Sequence, residues 1–537
     1  MRQLLVLLTS VFALACHADG KPNVVVIVAD DLGWGDVGFH GGDIDTPSLD
    51  RLASEGIELN RFYTTPICSP TRAALMTGRN PMRLGVAYGV ILPWDSIGIH
   101  PDERFMSESF LADGYQTAIV GKWHLGHSQQ GFHPNERGFE HFYGHLHTEV
   151  GYFPPFANQG GTDFQRNGET IDDQGYETFL LADEVSRYIR ERDRDRPFFI
   201  YLPFLAPHTP LAAPDDLVEK YRDINTDLEP ARSKQTDLTR QRARDRGVPS
   251  ARPLYAAVVD AMDQAIGQVL DTLDDEGLAD DTIVFFMSDN GGAAYSVGGA
   301  DNAPLRGGKG EVFEGGIRVV SVLRWPARVP RGKQLTDVMT VMDVFPTLAD
   351  AAGIETGSRF PLDGRSLLPS ILEGRPAPRK EFVFFASETP NYGQFNLTIF
   401  NDEWKLIQEV EQDQLTSRVV NHLYRISEDP YEFSNLADQF PDVVKRLATK
   451  IRDWRAIYPV SGTRSTIMPP PGWRAPRDWA DFPRSLESLQ QDAAPGMAPP
   501  ALLDYLDRQL GHRGRLTYDC ETTVPLGDVC ADDDAQQ

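Results

Sequence analysis

Cys68 stands in the run Pro66-Ile67-Cys68-Ser69-Pro70-Thr71-Arg72-Ala73-Ala74-Leu75-Met76-Thr77-Gly78-Arg79 and is one of only 4 cysteines in 537 residues. Ser69 can cap a helix, Pro70 suits its first turn, and Ala73 to Met76 are good helix formers. Cys68 is therefore expected just before a helix N-terminus, where backbone N–H groups and the helix dipole favour an anion. Arg72, one turn in, adds a fixed positive charge. A cysteine among anion-binding groups is a candidate nucleophile; the plainer reading is a buried structural cysteine in a loop.

Four further groups carry candidate chemistry. Asp30-Asp31 and Asp289-Asn290 offer oxygen ligands only, which suits a hard cation, Ca²⁺ or Mg²⁺, rather than zinc. Clustered without a cation, their carboxylates would repel and titrate higher; separately, each pair could simply cap a turn. Lys122 and His124, in Gly121-Lys122-Trp123-His124-Leu125-Gly126, lie two apart and in extended chain would point to one side, suited to charge stabilisation and proton transfer. His208, in Ala206-Pro207-His208-Thr209-Pro210, is a similar but weaker signal. Lys309 closes Asn302-Ala303-Pro304-Leu305-Arg306-Gly307-Gly308-Lys309-Gly310, ahead of Glu314-Gly315-Gly316-Ile317-Arg318. These glycines form neither G-x-G-x-x-G nor a Walker pattern, so a phosphate cradle is disfavoured.

The elements that must position these residues are strands. Asn23 to Ala29 is a continuous, mostly β-branched run, expected to be buried on both faces of a parallel sheet. Gln116–Val120, Pro197–Phe204 and Thr282–Met287 read as further strands. All four end in short Gly- or Pro-rich loops bearing the residues above, and in open α/β sheets ligands bind at the carboxyl ends of strands, so one shared site is expected. Leu254, Ala257, Val258, Ala261, Met262, Ala265, Ile266, Val269, Leu270 and Leu273 recur at helical spacing and give β–α–β order with a right-handed crossover. Thr46 to Ile57 reads as a helix. The fold class is α/β: a large, mostly parallel sheet flanked by helices, with a smaller C-terminal α+β domain containing an antiparallel sheet. In that smaller part Phe382–Ala386, Leu397–Phe400 and Trp404–Ile407 read as strands and Pro441–Tyr458 as a helix. The expected division is a signal peptide at 1–18, a catalytic domain at 21–378, the α+β unit at 379–460 and an extended Pro-rich tail at 461–537. The charged segment Asp223–Arg252 reads as a surface excursion.

Fifty-two basic and 78 acidic residues leave a net charge of −26, which argues against nucleic acid or an anionic membrane as a partner held by bulk charge. An anionic substrate then needs a local basic pocket. Met1-Arg2 followed by Leu4 to Ala15 reads as a secretory signal, too short to span a bilayer, with cleavage after Ala15 or Ala18. Cys16 leaves lipoprotein anchoring open. Cys520 and Cys530 could close a small disulfide loop in an exported protein. The expectation is an exported protein, periplasmic or extracellular, with no stable membrane span.

Cys68-Ser69-Pro70-Thr71-Arg72 followed by Thr77-Gly78-Arg79 resembles the C-x-P-x-R…x-G-R motif of the sulfatase family, within the alkaline-phosphatase-like superfamily. A thiolate phosphatase loop would need Arg six residues after Cys, where Ala74 stands. The resemblance runs from Asn23 to about Leu436, including the Lys309 run, Val341–Gly353, Asp363-Gly364-Arg365-Ser366-Leu367, Leu423-Tyr424, Asp429-Pro430, Glu432 and Asn435-Leu436. Arg83-Leu84-Gly85 leading to Ile91-Leu92-Pro93 looks most like arylsulfatase B-type members. It implies that a maturation enzyme converts Cys68 to formylglycine, and that Asp30, Asp31, Asp289, Asn290 and residue 68 hold one Ca²⁺. It also implies that a hydroxyl of the hydrated aldehyde, polarised by Ca²⁺ and Arg72, attacks sulfur while Lys122, Lys309 and the cation balance charge. His208 or Lys309 would protonate the leaving oxygen, and His124 would take the proton of the second hydroxyl as sulfate leaves. The activity implied is sulfate release from aryl sulfates or, more specifically, sulfated carbohydrates. The stretch His141–Phe156, with His145, His147, Tyr152 and Phe153, is expected to supply ring-stacking groups. Thr148 or His147 stands where family members often place a serine near the sulfate. The rivals are a phosphoesterase of the same superfamily and a non-catalytic glycan-binding relative. Missing two-metal His/Asp pairs disfavour the first; intact Lys122, His124, His208 and Lys309 disfavour the second.

Overall fold

In the computed structural model the described residues are 20–481, apart from 155, 227–250, 294–298, 378–381, 390–393, 413–416, 460–461 and 464–468. The signal-like stretch with Cys16, the pair Cys520 and Cys530, and most of the charged excursion lie outside them.

The strands in chain order are β1 (Asn23–Ala29), β2 (Ile57–Leu59), β3 (Phe62–Tyr63), β4 (Gln116–Lys122), β5 (His141–His145), β6 (Gln165–Arg166), β7 (Glu169–Thr170), β8 (Phe198–Pro203), β9 (Thr282–Ser288), β10 (Ser321–Arg324), β11 (Lys333–Leu335), β12 (Met339–Thr340), β13 (Val383–Thr389), β14 (Gln394–Phe400), β15 (Lys405–Gln412) and β16 (Ser417–Tyr424). A ten-stranded sheet has the order β11-β2-β10-β9-β1-β8-β4-β5-β6-β7. Its centre, β9-β1-β8-β4-β5, is parallel throughout, with Val26 of β1 level with Tyr201 of β8 and Phe285 of β9. The outer strands β10, β6 and β7 run antiparallel to their inner neighbours.

Strand alternation divides β1 between two cores. Val24, Val26 and Val28 join one hydrophobic cluster, while Val25, Ile27 and Ala29 join the other. The continuous apolar run is thus explained by helices on both faces. On one face lies the crossover helix Arg252–Asp275, whose apolar stripe from Ala257 to Leu273 is buried and which packs on helices Glu177–Glu191 and Pro47–Glu55. On the other lie helices Cys68–Thr77 and Val341–Ala352. The helix expected over Thr46–Ile57 stops at Glu55, because Ile57 opens β2 and pairs with Leu323.

β13 to β16 form a separate antiparallel sheet in sequential order, covered by helix Pro441–Ala456 through Leu447 and Ile451. Three of these strands extend the expected runs; β16 was not expected, since its polar residues hide the alternation. The helix ends two residues before Tyr458, whose hydroxyl instead donates to the carbonyls of Gly85 and Thr463, each at 2.9 Å. Within the expected tail, residues 469–481 return to the body. Thr162 N–H donates to Arg477 O (3.0 Å), Trp479 N–H to Thr162 O (2.9 Å), and the buried Trp479 indole to Gly160 O (3.0 Å). Among the described residues no helix is long and apolar enough to cross a membrane.

Candidate active site

The carboxyl ends of β1, β4, β8 and β9, neighbours in the sheet, deliver Asp30-Asp31, Lys122, the loop to His208, and Asp289-Asn290 to one place. Cys68 meets them from helix Cys68–Thr77, all ten residues of which are buried. The cap differs from expectation. Ile67 is the N-cap and Cys68 the first helical residue. Ser69 does not cap: its hydroxyl donates to His124 O (3.0 Å) and accepts from Ile91 N–H (3.1 Å), tying the helix to the two loops behind it.

Arg72 lies at the centre. Its Nη2 donates to Asp30 Oδ2 (2.8 Å) and Asp289 Oδ2 (3.1 Å), and its Nη1 to Lys122 O (3.1 Å). Lys122 Nζ donates to the same Asp30 oxygen. Burial pushes the Asp30 carboxyl up, but the charges of Lys122, His208, Arg72 and Lys309 outweigh it and hold the group well below the usual carboxylate range. Asp289 has fewer cations beside it; burial and the Asp30 charge push it up to about 7. Asp31, in left-handed conformation (φ 74°), accepts from Asn290 Nδ2 at 2.8 Å and Lys309 Nζ at 2.8 Å, while its own N–H donates to Asp289 Oδ1 at 3.3 Å.

These residues fit a cation. Ligand atoms of Asp30, Cys68 and Asp289 lie within 4.8 Å of one another, as do those of Asp30, Asp31 and His208. Asp30 Oδ1 and Asn290 Oδ1 are buried without a hydrogen-bond partner. Orphaned oxygens in a dry cluster of carboxylates are costly unless a positive ligand meets them, and the oxygens of Asp30, Asp31, Asp289 and Asn290 suit a hard divalent ion.

Lys309 Nζ also donates to His208 Nε2 (2.9 Å), leaving His208 Nδ1 to donate to Thr209 O. Burial, then the Lys309 charge, lowers the His208 pKa. The lysine loop is pinned to the segment before Cys68 by Gly310 N–H to Pro66 O (2.8 Å). Gly291 is needed here, since a Cβ would stand 1.8 Å from Gly315 O. His124 departs from the extended geometry expected of it: β4 ends at Lys122, and His124 takes φ 59°. Its Nε2 donates to Ile91 O (3.0 Å) and its Nδ1 is buried without a partner. Burial, Lys122 and Arg72 lower its pKa well below the ordinary value. Burial pushes the Cys68 thiol up to about 11 against the pull of Lys122 and Lys309, so the unmodified side chain is no thiolate at neutral pH.

The ring-bearing stretch behaves differently from expectation. His145, His147 and Tyr152 are buried, whereas Phe153 and Phe156 are 55% and 66% exposed. Tyr152 hydroxyl donates to His208 O (2.8 Å), a support for the histidine loop. The His147 ring packs on Trp479 (centroids 3.8 Å apart) and His127 (4.3 Å), and Thr148 is buried beside it. Trp479 carries no signal in the sequence, and Ser69 and Tyr152, expected as a helix cap and a stacking ring, act instead as supports; each meets a partner more than fifty residues away, which no local motif records.

Known proteins resemble this chain over most of its length. A family model described as Sulfatase matches residues 22–354, and one described as N-sulphoglucosamine sulphohydrolase, C-terminal, matches residues 308–456. The chain is 35% identical over 396 residues to human (Homo sapiens) N-acetylgalactosamine-6-sulfatase, covering 69% of each chain. It is 29% identical over 493 residues to arylsulfatase J of Mus musculus, covering 83% of this chain and 78% of the relative. Among solved structures, that of Ps i-CgsB in complex with k-i-k-neocarrahexaose superposes with TM-score 0.69 at 29% identity, over 83% of this chain and 95% of the other.

Proposed function

This chain belongs to the sulfatase family and is a sulfuric ester hydrolase, and from that premise we propose that it is an exported enzyme that releases sulfate from sulfated carbohydrate, with formylglycine at position 68 and one Ca²⁺. The observation that carries the reading is the convergence on Cys68 of Arg72, Lys122 and Lys309 with three acidic residues and two histidines. The carbohydrate reading is supported by similarity to N-acetylgalactosamine-6-sulfatase and to a structure that holds neocarrahexaose. Export is supported by the signal-like sequence at Met1 to Ala15.

Asp30, Asp31, Asp289 and Asn290 would hold Ca²⁺, which supplies Lewis acidity toward sulfate oxygens. Formylglycine would supply an oxygen nucleophile that the buried thiol does not. The remaining work falls to side chains. Arg72 fixes Asp30, Asp289 and the Lys122 carbonyl in one lattice, so the site is organised before substrate arrives. Lys122 and Lys309 each rest on a different carboxylate, Asp30 and Asp31, and so bring two positive charges to the place where the oxygens of a bound sulfate would lie. The Lys309–His208 pair forms a two-member relay that can deliver a proton to the leaving oxygen. His124 donates through Nε2 and keeps Nδ1 as the nitrogen able to accept a proton.

Mass spectrometry of the peptide spanning residue 68, from a host with the maturation system, should show formylglycine; fully active enzyme with only cysteine there overturns that part. Sulfate release should be measured on sulfated mono- and oligosaccharides, a synthetic aryl sulfate, a steryl sulfate and an aryl phosphate. Turnover of carbohydrate sulfates is expected. If only the aryl or steryl ester reacts, the substrate reading falls while the enzyme class stands.

A further inference from the structure

A cavity of about 340 Å³ opens at the seam between the catalytic body and the turn that follows β16, within the range of clefts that take small ligands. Trp34, Arg61, Tyr63, Glu314 and Arg318 line it from the body and Tyr431 from the turn; no nucleophile, metal-site or acid–base residue reaches it. Its charge is asymmetric. Glu314 is already engaged: Oε1 accepts from Lys405 Nζ (2.9 Å) and Oε2 from the Tyr63 hydroxyl (3.0 Å), all buried. Arg318 is held in place by Nε to Asn60 O (2.8 Å) and Nη2 to Asn60 Oδ1 (2.6 Å), and lies over the Trp34 ring, 4.8 Å from its centre. Its nearest carboxylate oxygen, on Glu314, is 3.8 Å away. Arg61 is similar: the Tyr63 side chain is its polar neighbour, its closest carboxylate, on Asp402, is 3.8 Å from Nη1, and its buried Nη2 meets no carboxylate.

A buried guanidinium nitrogen that no carboxylate meets is costly unless another anion does. Trp34 is buried between the His40 ring (centroids 4.2 Å apart) and Arg318 and serves to hold that guanidinium, so it is the two guanidinium groups and the partly exposed ring of Tyr431 that combine anion pairing with a stacking face, the pair of features that a charged sugar needs. We propose that this cavity is a second, non-catalytic binding site for a saccharide bearing an anionic group, a sulfate or a carboxylate. The choice of a saccharide rests on the substrate class proposed above; the anion preference rests on Arg61 and Arg318 alone. The site would hold one unit of a polymer or oligosaccharide whose reacting unit lies elsewhere. Trp34 is three residues from Asp31 and Leu305 four from Lys309, so the cavity shares its loops with the reaction centre but not its residues.

The test uses the full chain with Cys68→Ala, which binds without turnover, and titrates it by calorimetry with a sulfated disaccharide, its unsulfated form and inorganic sulfate. Two classes of site are expected for the sulfated sugar, one of them weakened at least tenfold by Arg61→Ala and, separately, by Tyr431→Ala, with the other unchanged. A single class of site, or two classes that neither variant alters, overturns the proposal. Equal binding of inorganic sulfate and sulfated sugar at the Arg61-dependent site overturns its saccharide part. In the Cys68 chain the small aryl sulfate reports on the proposed function independently: Arg61→Ala should leave its turnover unchanged, and absence of any turnover would count against the catalytic reading, not against the cavity.

Discussion

Asp30 and Asp289 share one nitrogen, Arg72 Nη2, at 2.8 and 3.1 Å. One guanidinium cannot neutralise two buried carboxylates, and burial, with the Asp30 charge added to it, pushes Asp289 up to about 7. A divalent cation removes that repulsion, so its effect should register in the fold as well as in turnover. Chelation is expected to abolish activity and to lower the melting temperature by several degrees, with Ca²⁺ restoring both and zinc restoring neither; a ligand at about a hundred times its Kd stabilises by about 2.7 kcal/mol. An unchanged melting curve on chelation overturns the site as drawn. At this scale the sequence was highly legible. Asp30, Asp31, Lys122, Asp289 and Asn290 are ionic or amide groups at the ends of apolar runs, and such placements are rare without a use. The supporting contacts of Ser69 and Tyr152 were not legible, because they depend on which loops the sheet brings together.

Helix Glu177–Glu191 begins with a carboxyl that the sequence does not distinguish from an ordinary first-turn acid. Glu177 is fully buried, neither carboxylate oxygen has a hydrogen-bond partner, and the unpartnered Nε2 of His145 lies 3.9 Å away. Burial pushes its pKa from 4.5 up to about 8, with Thr178 and Lys122 pulling it down only in part. Between those values the unfolded chain has lost the proton and the folded chain keeps it, so stability falls as pH rises, at up to about 1.4 kcal/mol per unit. Glu177→Gln, neutral in both states, should flatten the melting temperature against pH between 5 and 8, measured with Ca²⁺ in excess. Asp163, raised to about 7 by burial, leaves a residual slope; curves that stay parallel in the two proteins overturn the assignment. Elements with a strong period were readable, such as the stripe of Arg252–Asp275. β16 was not, because Arg418, Asn421 and His422 interrupt it and its pairing with β15 decides the matter.

At the scale of the whole molecule, Trp479 joins the far end of the described chain to the middle. It is buried against His147 and His127, in a hydrophobic cluster shared with Val150, Tyr152 and Ala157. Trp479→Ala should cost about 3–5 kcal/mol, as large-to-small changes in a core do. Because Tyr152 carries the His208 loop, the variant should also lose turnover in the temperature range where it is still folded. Full activity with an unchanged melting temperature would show that the segment merely rests on the surface. The Pro-rich composition after Val460 suggests an extended tail but does not indicate that a single indole anchors it.

The burial of helix Cys68–Thr77 sets a clock. The enzyme proposed to modify Cys68 could not reach it once the ten residues of that helix are covered, so it would have to act on the chain while it is still open. β1 is flanked in the sheet by β8 and β9, and the later of these ends at Ser288. About 220 residues separate Cys68 from that point, roughly 10–40 s of synthesis at ~5–20 residues per second. Translation speed and the supply of modifying enzyme would then set the fraction of molecules born active, and a thiol trapped by early closure would stay inert for the life of the molecule.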